Sequence, residues 1–301
     1  MTRVRVAVIP AAGLGTRMLP ATAAVPKELL PIGGRPAIDW ILDEAARAGI
    51  ERVVVVSSRR KPAIERYLKQ TLGLQGGHSH DRSGQVRELS APALEVLIVH
   101  QNRPSGLGDA VRVAWRAVGD EPVAVLLPDE LIFGGNVLLN SMLDCHAREG
   151  TSVVSLLEVP PEEIALYGCA ELSVSGRGGA MSVTRCVEKP EAALAPSNYA
   201  LCGRYVLDID VREALDSTGP DERGEVQLTS ALNVAAMSGN LIGVELSKQD
   251  RRIDIGNWAG WFAANRGVFE PDNAYEAPDP STTADGSSLQ PTSANSLSAV
   301  I

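Results

Sequence analysis

The chain has only four cysteines in 301 residues, Cys145, Cys169, Cys186 and Cys202, and no CxxC pair among them. That spacing excludes a disulfide framework and a thiolate zinc site, and predicts four small, buried, apolar side chains. Histidine is equally sparse, with four in all. His78 and His80 fall in a polar stretch, and His100 and His146 read as structural or surface residues, so histidine-led catalysis has no candidate. No apolar run approaches the roughly 20 residues that a bilayer crossing needs. The opening "MTRVRVAVIPAAG" begins basic, but its apolar part breaks into a loop too soon for a signal-peptide core. Basic charge is also short. A net charge of −9 leaves no whole-protein field for nucleic acid or an anionic membrane. These absences predict a cytoplasmic protein without nucleic-acid or membrane partners. They also require any phosphate site to gather its cations locally.

What is present is a rhythm. "VRVAVI", "RVVVVSS", "LEVLIVH" and "PVAVLLPD" are short, nearly all-apolar strands. Between them lie the helical segments "RPAIDWILDEAARAG", "PAIERYLKQTL" and "LGDAVRVAWRAV". In the first of these, Ile38, Ile41, Leu42, Ala45 and Ala46 share a face, with Pro36 near the start and Gly49 at the close. Such alternation predicts an α/β fold with a parallel sheet covered on both faces. In the second half, "TSVVSLLEV", "CAELSV", "SVTRCVEKP" and "YALCGRYVL" follow one another with little helix between, which predicts antiparallel additions to the sheet. Helical pattern returns at "GEVQLTSALNVAAMSG" and "WAGWFAANRGVF". The polar, glycine-rich stretch from Gly73 to Ser90 reads as an excursion from the sheet. Residues 271–301, rich in Ser, Thr, Pro and Ala, read as a disordered tail.

One loop raises a chemical question. "PAAGLGTRM" leaves the first strand with Gly13 and Gly15, then Arg17. A Walker A loop is excluded because no Gly-Lys-Ser/Thr ending follows. A dinucleotide fingerprint is disfavoured because Met18 stands where its third glycine belongs. Two readings remain: a tight strand–helix turn with a solvated arginine, or a loop whose amides meet the phosphates of a nucleoside triphosphate. Other segments favour the second. "LLPDE" sets Asp129 just after a strand, "VEKP" offers Glu188 and Lys189, "HQNRPSGLGDA" offers Gln101 before a glycine turn, and "RRIDIGN" offers Asp254.

These segments, together with "AAGLGTRMLPAT", "PKELLP", "GDEPVAVLLPD", "YG", "VEKPEAALAPSN", "GRYVL" and "GEVQLT", resemble the bacterial UTP–glucose-1-phosphate uridylyltransferases, within the wider sugar-phosphate nucleotidyltransferases. The resemblance covers most of residues 4–268. It implies a Rossmann-like mixed sheet flanked by helices. Residues 1–270 would form a single nucleotidyltransferase domain, with a nucleotide-binding part to about 135 and a sugar-binding part beyond it. It implies transfer of UMP from UTP to glucose 1-phosphate with release of pyrophosphate, a Mg²⁺ cofactor, and a homodimer or homotetramer. By the same resemblance, Arg17, Lys27 and Lys189 are catalytic cations, with Arg17 and the Gly13–Thr16 backbone on the β- and γ-phosphates. Ala12, Gly13, Gly15, Thr16, Gln101 and Gly106 bind the nucleotide, and Gly168, Glu188 and Gly203 bind the sugar. Asp129 and Asp254 hold the metal, a hard cation suited to carboxylates and phosphates.

The chemistry fits the residue types. The attacking sugar phosphate is already an anion and needs no general base. The obstacle is repulsion between substrates that together carry roughly five or six negative charges at pH 7. At 4 Å each pair of unit charges repels by about 4 kcal/mol at a typical effective dielectric. Several positions depart from the resembled pattern. Ala23 stands in place of a lysine, Glu130 of a small apolar residue, Asp109 of a histidine, Ser230 of an aspartate and Arg251 of a lysine; Cys169 and Cys202 flank presumed sugar-contact glycines. The departures leave open another nucleotide (dTTP, GTP or ATP), a modified hexose or cyclitol phosphate, or a non-catalytic nucleotide-sugar-binding relative. A nicotinamide-dependent oxidoreductase is the remaining class, disfavoured by Met18.

Overall fold

The computed structural model describes residues 3–72, 94–134, 137–173 and 181–268. The expected Gly73–Ser90 excursion and the 271–301 tail lie outside them. β1 (Val6–Pro10) runs into the glycine loop, a one-turn helix α1 (Ala21–Ala24) and a small hairpin of β2 (Pro31–Ile32) and β3 (Arg35–Pro36). Then follow α2 (Ala37–Arg47), β4 (Arg52–Ser57), α3 (Pro62–Thr71), β5 (Glu95–His100), α4 (Leu107–Val118) and β6 (Val123–Leu126). The second half holds β7 (Glu130–Phe133), α5 (Val137–Glu149), β8 (Ser152–Glu158), β9 (Gly168–Ser173), β10 (Met181–Glu188) and β11 (Tyr199–Leu207). It closes with α6 (Ile209–Ser217), α7 (Leu228–Met237), β12 (Leu241–Glu245), β13 (Arg251–Asp254) and α8 (Trp258–Val268).

Nine strands form one sheet in the order β5-β4-β1-β6-β11-β8-β12-β10-β9. β5, β4, β1 and β6 are parallel, with Val8 opposite Val54 on one side and Val125 on the other. β11 then runs antiparallel to both β6 and β8. The inner parallel strands β1, β4 and β6 are apolar at nearly every position because successive side chains enter opposite, equally dry faces, whereas the edge strand β5 exposes Glu95 and Leu97. Ala7, Ile9, Val53, Val55, Ala124 and Leu126 pack beneath α2, α3, α5 and α8. Val6, Val8, Val54, Val56, Val123 and Val125 pack beneath α4, α6 and α7.

The chain steps outward from β1 to β4 to β5, then returns to β6 on the far side of β1. Neighbouring loops at the carboxyl ends of β1 and β6 therefore leave in opposite directions and open a crevice, the usual ligand position in open α/β sheets. Outside the main sheet, β7 pairs antiparallel with β13, placing Asp254 opposite Glu130. This ribbon joins segments more than a hundred residues apart and brings the second aspartate to the crevice. All four cysteines are unpaired and buried; burial pushes the thiols of Cys186 and Cys202 up to about 12.

Candidate active site

The glycine loop is anchored at its start and open at its centre. The Ala11 amide donates to Val56 O at 2.8 Å, and the Ala11 carbonyl accepts from Lys61 Nζ at 3.1 Å. Ala12 is buried, whereas Gly13 is exposed, and a Cβ built on Gly13 would meet nothing within 4 Å. Nothing within the fold requires glycine there; open space above a bare backbone is what an approaching phosphate needs. Gly15 is different: its φ of 66° is left-handed, and Thr22 Oγ1 donates to its carbonyl at 2.8 Å. That turn starts the short 3-10 segment Thr16–Met18 and projects Arg17 over the crevice.

Arg17, Lys27, Asp129 and Asp254 converge, although they come from four separate segments. Lys27 Nζ donates to Asp129 Oδ2. The Arg17 guanidinium lies 3.9 Å from Asp129 and 3.4 Å from Asp254. The Gly256 amide donates to Asp254 Oδ1 at 2.7 Å, and Asn257 Nδ2 to Asp254 Oδ2 at 3.3 Å. The gap between the two carboxylates is narrow: a Cβ on Gly256 would sit 2.5 Å from Arg17, 2.9 Å from Asp254 and 3.1 Å from Asp129. Burial pulls the Lys27 ammonium down, but Asp129 and Glu28 outweigh it and leave it above its ordinary value. Burial likewise pushes the Asp129 carboxyl up, and Lys27 and Arg17 more than reverse that. Both groups are thus held charged.

The two aspartates suit a divalent cation that shares its remaining positions with phosphate oxygens and water, since Mg²⁺ usually takes one or two carboxylates. Among the described residues no cluster of three or more His, Cys, Asp and Glu is arranged for a metal, so a closed all-protein cage is not built here.

Gln101 and Gly106 meet beside this crevice. Gln101 is buried, 4% exposed, at the carboxyl end of β5, and its Nε2 donates to Gly106 O at 3.1 Å and to Asp109 Oδ2 at 2.8 Å. Gly106 has a φ of 93°, and a Cβ there would lie 2.6 Å from Val226 O. The loop is bolted to the "GEVQL" segment by Val226 N to Ser105 O at 2.7 Å and Gly108 N to Val226 O at 2.9 Å.

Gly168 and Glu188 form a second group, on paired strands β9 and β10. Thr229 Oγ1 donates to Glu188 Oε2 at 2.6 Å, and a Cβ on Gly168 would lie 3.2 Å from Thr229 Oγ1 and 3.4 Å from Glu188 Oε2. Lys189 follows at φ 41°, the sole non-glycine residue with positive φ among the described residues; such strain of about 1–3 kcal/mol concentrates at functional sites. Its ammonium is 3.7 Å from Glu188. Among the described residues no ion pair ties it to Asp129 or Asp254. Gly203, on β11 beside β9, lies against the Glu130 side chain, whose Cγ would lie 2.7 Å from an added Cβ.

The departure at Glu130 has an answer in the fold. Arg252 grips it with two bonds of 2.6 Å and lies 5.1 Å over the Tyr167 ring. Burial pushes the Glu130 carboxyl up to about 7 against the pull of Arg252. The added anion is therefore matched by a cation from the facing strand rather than presented to a phosphate. Ala23 and Ser230 are exposed, and nothing in the structure explains either. Glu28, Lys61, Thr229 and Gly256 escaped the sequence reading. Glu28, Thr229 and Gly256 lay inside recognised motifs; Lys61 had no signal at all.

A family model for nucleotidyl transferases matches residues 6–270. The UTP–glucose-1-phosphate uridylyltransferase YngB of Bacillus subtilis is 38% identical over 275 residues, 90% of this chain and 92% of that one. The UTP–glucose-1-phosphate uridylyltransferase of Staphylococcus epidermidis is 34% identical over 87% of this chain and 91% of its own. A crystal structure of UDP-glucose pyrophosphorylase complexed with UDP-glucose superposes with a TM-score of 0.77 at 31% identity, covering 88% of this chain and 98% of that one. A UTP-bound UGPase from Acinetobacter baumannii gives 0.75 at 31%, covering 90% and 95%. With fold, crevice and sequence in agreement along nearly its whole length, this chain belongs to the nucleotidyl transferase family, on its UTP–glucose-1-phosphate uridylyltransferase branch.

Proposed function

We propose that the protein transfers UMP from UTP to glucose 1-phosphate, giving UDP-glucose and pyrophosphate. The observation that carries this reading is the convergence of Asp129 and Asp254 on Arg17, which projects from the glycine loop, with Gly256 between them. In this reading Arg17 and the Gly13–Thr16 amides bind the β- and γ-phosphates and stabilise the departing pyrophosphate. Lys27, held charged, faces the α-phosphate, and Lys189 brings its cation to the sugar phosphate. Asp129 and Asp254 would hold Mg²⁺, which polarises phosphate oxygens and lowers the repulsion between the two substrates. Ala12 and Gln101 read the base beside Gly106. Glu188, fixed by Thr229, accepts from sugar hydroxyls beside Gly168 and Gly203. The sugar phosphate attacks as an anion, so the protein's part is charge neutralisation and in-line positioning. We further propose a cytoplasmic enzyme assembled as a homodimer or homotetramer.

The test is pyrophosphate release from a panel of nucleoside triphosphates and sugar 1-phosphates. UTP with glucose 1-phosphate is expected to give the highest kcat/KM. Asp129→Ala is expected to lose at least a hundredfold in turnover while remaining folded, at a lower unfolding temperature because Lys27 loses its carboxylate partner. Near-normal turnover in that variant removes Asp129 from the metal site, and a modified hexose or cyclitol phosphate winning the panel replaces glucose 1-phosphate as acceptor.

A further inference from the structure

We infer that Asp109 is a positioning residue that sets the nucleotide preference by locking the Gln101 amide in one orientation. The inference rests on the proposed reading of Gln101 as a base contact and deepens it.

A glutamine side chain can turn either end to a ligand, since its amide carries two donors on Nε2 and two lone pairs on Oε1. The bonding partners decide which end is presented. Here both partners are pure acceptors. Nε2 lies 3.1 Å from the Gly106 carbonyl and 2.8 Å from Asp109 Oδ2, and neither oxygen has a hydrogen to give. Turning the amide over would set Oε1 against a carbonyl and a carboxylate, oxygen to oxygen, at a buried position. Charge-assisted bonds of this kind are the stronger ones, and a buried polar group left facing a like partner is costly.

Asp109 is itself held. It stands in the first turn of α4, and Arg112, one turn on, donates to its Oδ1 at 2.7 Å. The carboxylate is therefore divided between its two neighbours, Oδ1 to arginine and Oδ2 to glutamine. Gln101 is fixed from behind as well, its amide N–H donating to Ser57 O at 2.9 Å in line with the sheet. With both Nε2 hydrogens taken, Oε1 makes no hydrogen bond among the described residues, yet it is not among the buried polar atoms left without a partner. The side chain thus offers an acceptor and no donor.

A base that meets an acceptor must bring an N–H. Uracil does so at N3, as do thymine at N3 and guanine at N1. Cytosine presents a lone pair at N3 and adenine one at N1, so their donors on that edge are the exocyclic amines alone, and with Oε1 placed at the ring nitrogen two lone pairs would face each other. A site built to bond a polar group rejects an isostere lacking that group far more strongly than an apolar site can. Asp109 occupies the position where the resembled pattern has histidine, and a neutral imidazole can present a donor or an acceptor there. A carboxylate presents an acceptor alone, so in this chain the orientation is settled by residue type.

The experiment compares kcat/KM for UTP and CTP, by pyrophosphate release, in the full-length wild type and in Asp109→Ala, Asp109→Asn and Gln101→Ala; where CTP turnover is absent, its competitive inhibition constant is used. Asp109→Ala is expected to raise KM for UTP about tenfold with kcat within threefold, and to lower the UTP-to-CTP ratio at least tenfold because the freed amide can rotate. Asp109→Asn, which keeps the shape but can turn either end to Gln101, should fall between. If Gln101→Ala collapses the ratio while Asp109→Ala and Asp109→Asn leave it within twofold, the inference is overturned and the base contact stands. A ratio unchanged in Gln101→Ala overturns the base contact and the inference with it. A merely structural role for Asp109 predicts equal losses with both nucleotides and an unchanged ratio. Should Asp109→Ala fail to fold, Arg112→Met removes the support for the carboxylate and is read by the same ratio.

Discussion

Lys61 is buried against the start of the glycine loop and ties the loop to its surroundings. Its ammonium reaches both oxygens of Glu28, at 3.0 and 2.9 Å, and the Ala11 carbonyl at 3.1 Å. Glu28 is 1% exposed and sits next to Lys27. Burial pushes the Glu28 carboxyl up and pulls the Lys61 ammonium down, each against the attraction of the other. Removing one member of such a pair leaves an uncompensated buried charge, at a cost of about 3–5 kcal/mol. Lys61→Met is therefore expected to lower the unfolding temperature by roughly 10 °C, given about 2–4 °C per kcal/mol in a chain of this size class. Glu28→Gln combined with Lys61→Met should recover part of that loss. Scanning calorimetry of Lys61→Met, Glu28→Gln and the double variant checks the pair; a combined loss equal to the sum of the single losses would show no coupling. No sequence pattern marked Lys61, because a lysine after two arginines reads as a solvated charge until its carboxylate partner is known.

Elements supply the next level, and Gly106 shows how tightly two of them are joined. The loop before α4 must pass under the segment that starts α7, and only a residue without Cβ clears Val226 O. Its φ of 93° and ψ of 171° lie in a region open essentially to glycine alone. Gly106→Ala thus combines backbone strain with a clash against backbone that cannot turn aside. The expected result is at least a tenfold rise in KM for UTP with a smaller change in kcat, measured by steady-state kinetics and by nucleotide titration calorimetry. Unchanged nucleotide affinity would separate this loop from the base site. The glycine pair was legible as a turn; its contact with residues 225–227 was not. α5 went unread in the sequence, although Leu138, Leu139, Met142 and Cys145 repeat at helical spacing and are buried. The β7–β13 ribbon was not legible, because its two short strands mix charge with apolar residues and find each other only through the tertiary fold.

Across the whole molecule, Arg204 joins layers that the sheet alone would leave independent. It is wholly buried and grips Glu44 of α2 with bonds of 2.8 and 2.6 Å. It also donates to the carbonyls of Leu127 and Glu130, at 3.2 and 2.7 Å. Those two residues bracket Asp129, so one guanidinium sets both the packing of α2 and the turn that carries a proposed metal ligand. Arg204→Met is expected to cost about 3–5 kcal/mol by taking the guanidinium from the buried Glu44 carboxylate, seen as a lower denaturant midpoint in chemical unfolding. Adding Glu44→Leu should restore part of it, the orphaned carbonyls accounting for the remainder. A single-variant loss below about 1 kcal/mol would mean that water replaces the guanidinium. The helix bearing Glu44 was correctly placed from its apolar face. That its opposite side is also buried, with Asp39, Asp43 and Glu44 all under 9% exposed, depended on partners elsewhere in the chain.

The amino-acid order by itself determined the parallel half of the sheet, the helices between its strands, and the glycine loop with the arginine it carries. Each of these is a local pattern: apolar runs of strand length, helical periodicity, and glycine where backbone must stay bare. Only the tertiary structure decided that Asp129 and Asp254 meet at Arg17, that Glu130 is answered by Arg252, and that Asp109 turns the Gln101 amide. Those are pairings across long stretches of chain, and a carboxylate's role is fixed by which cation, amide or phosphate it finally faces.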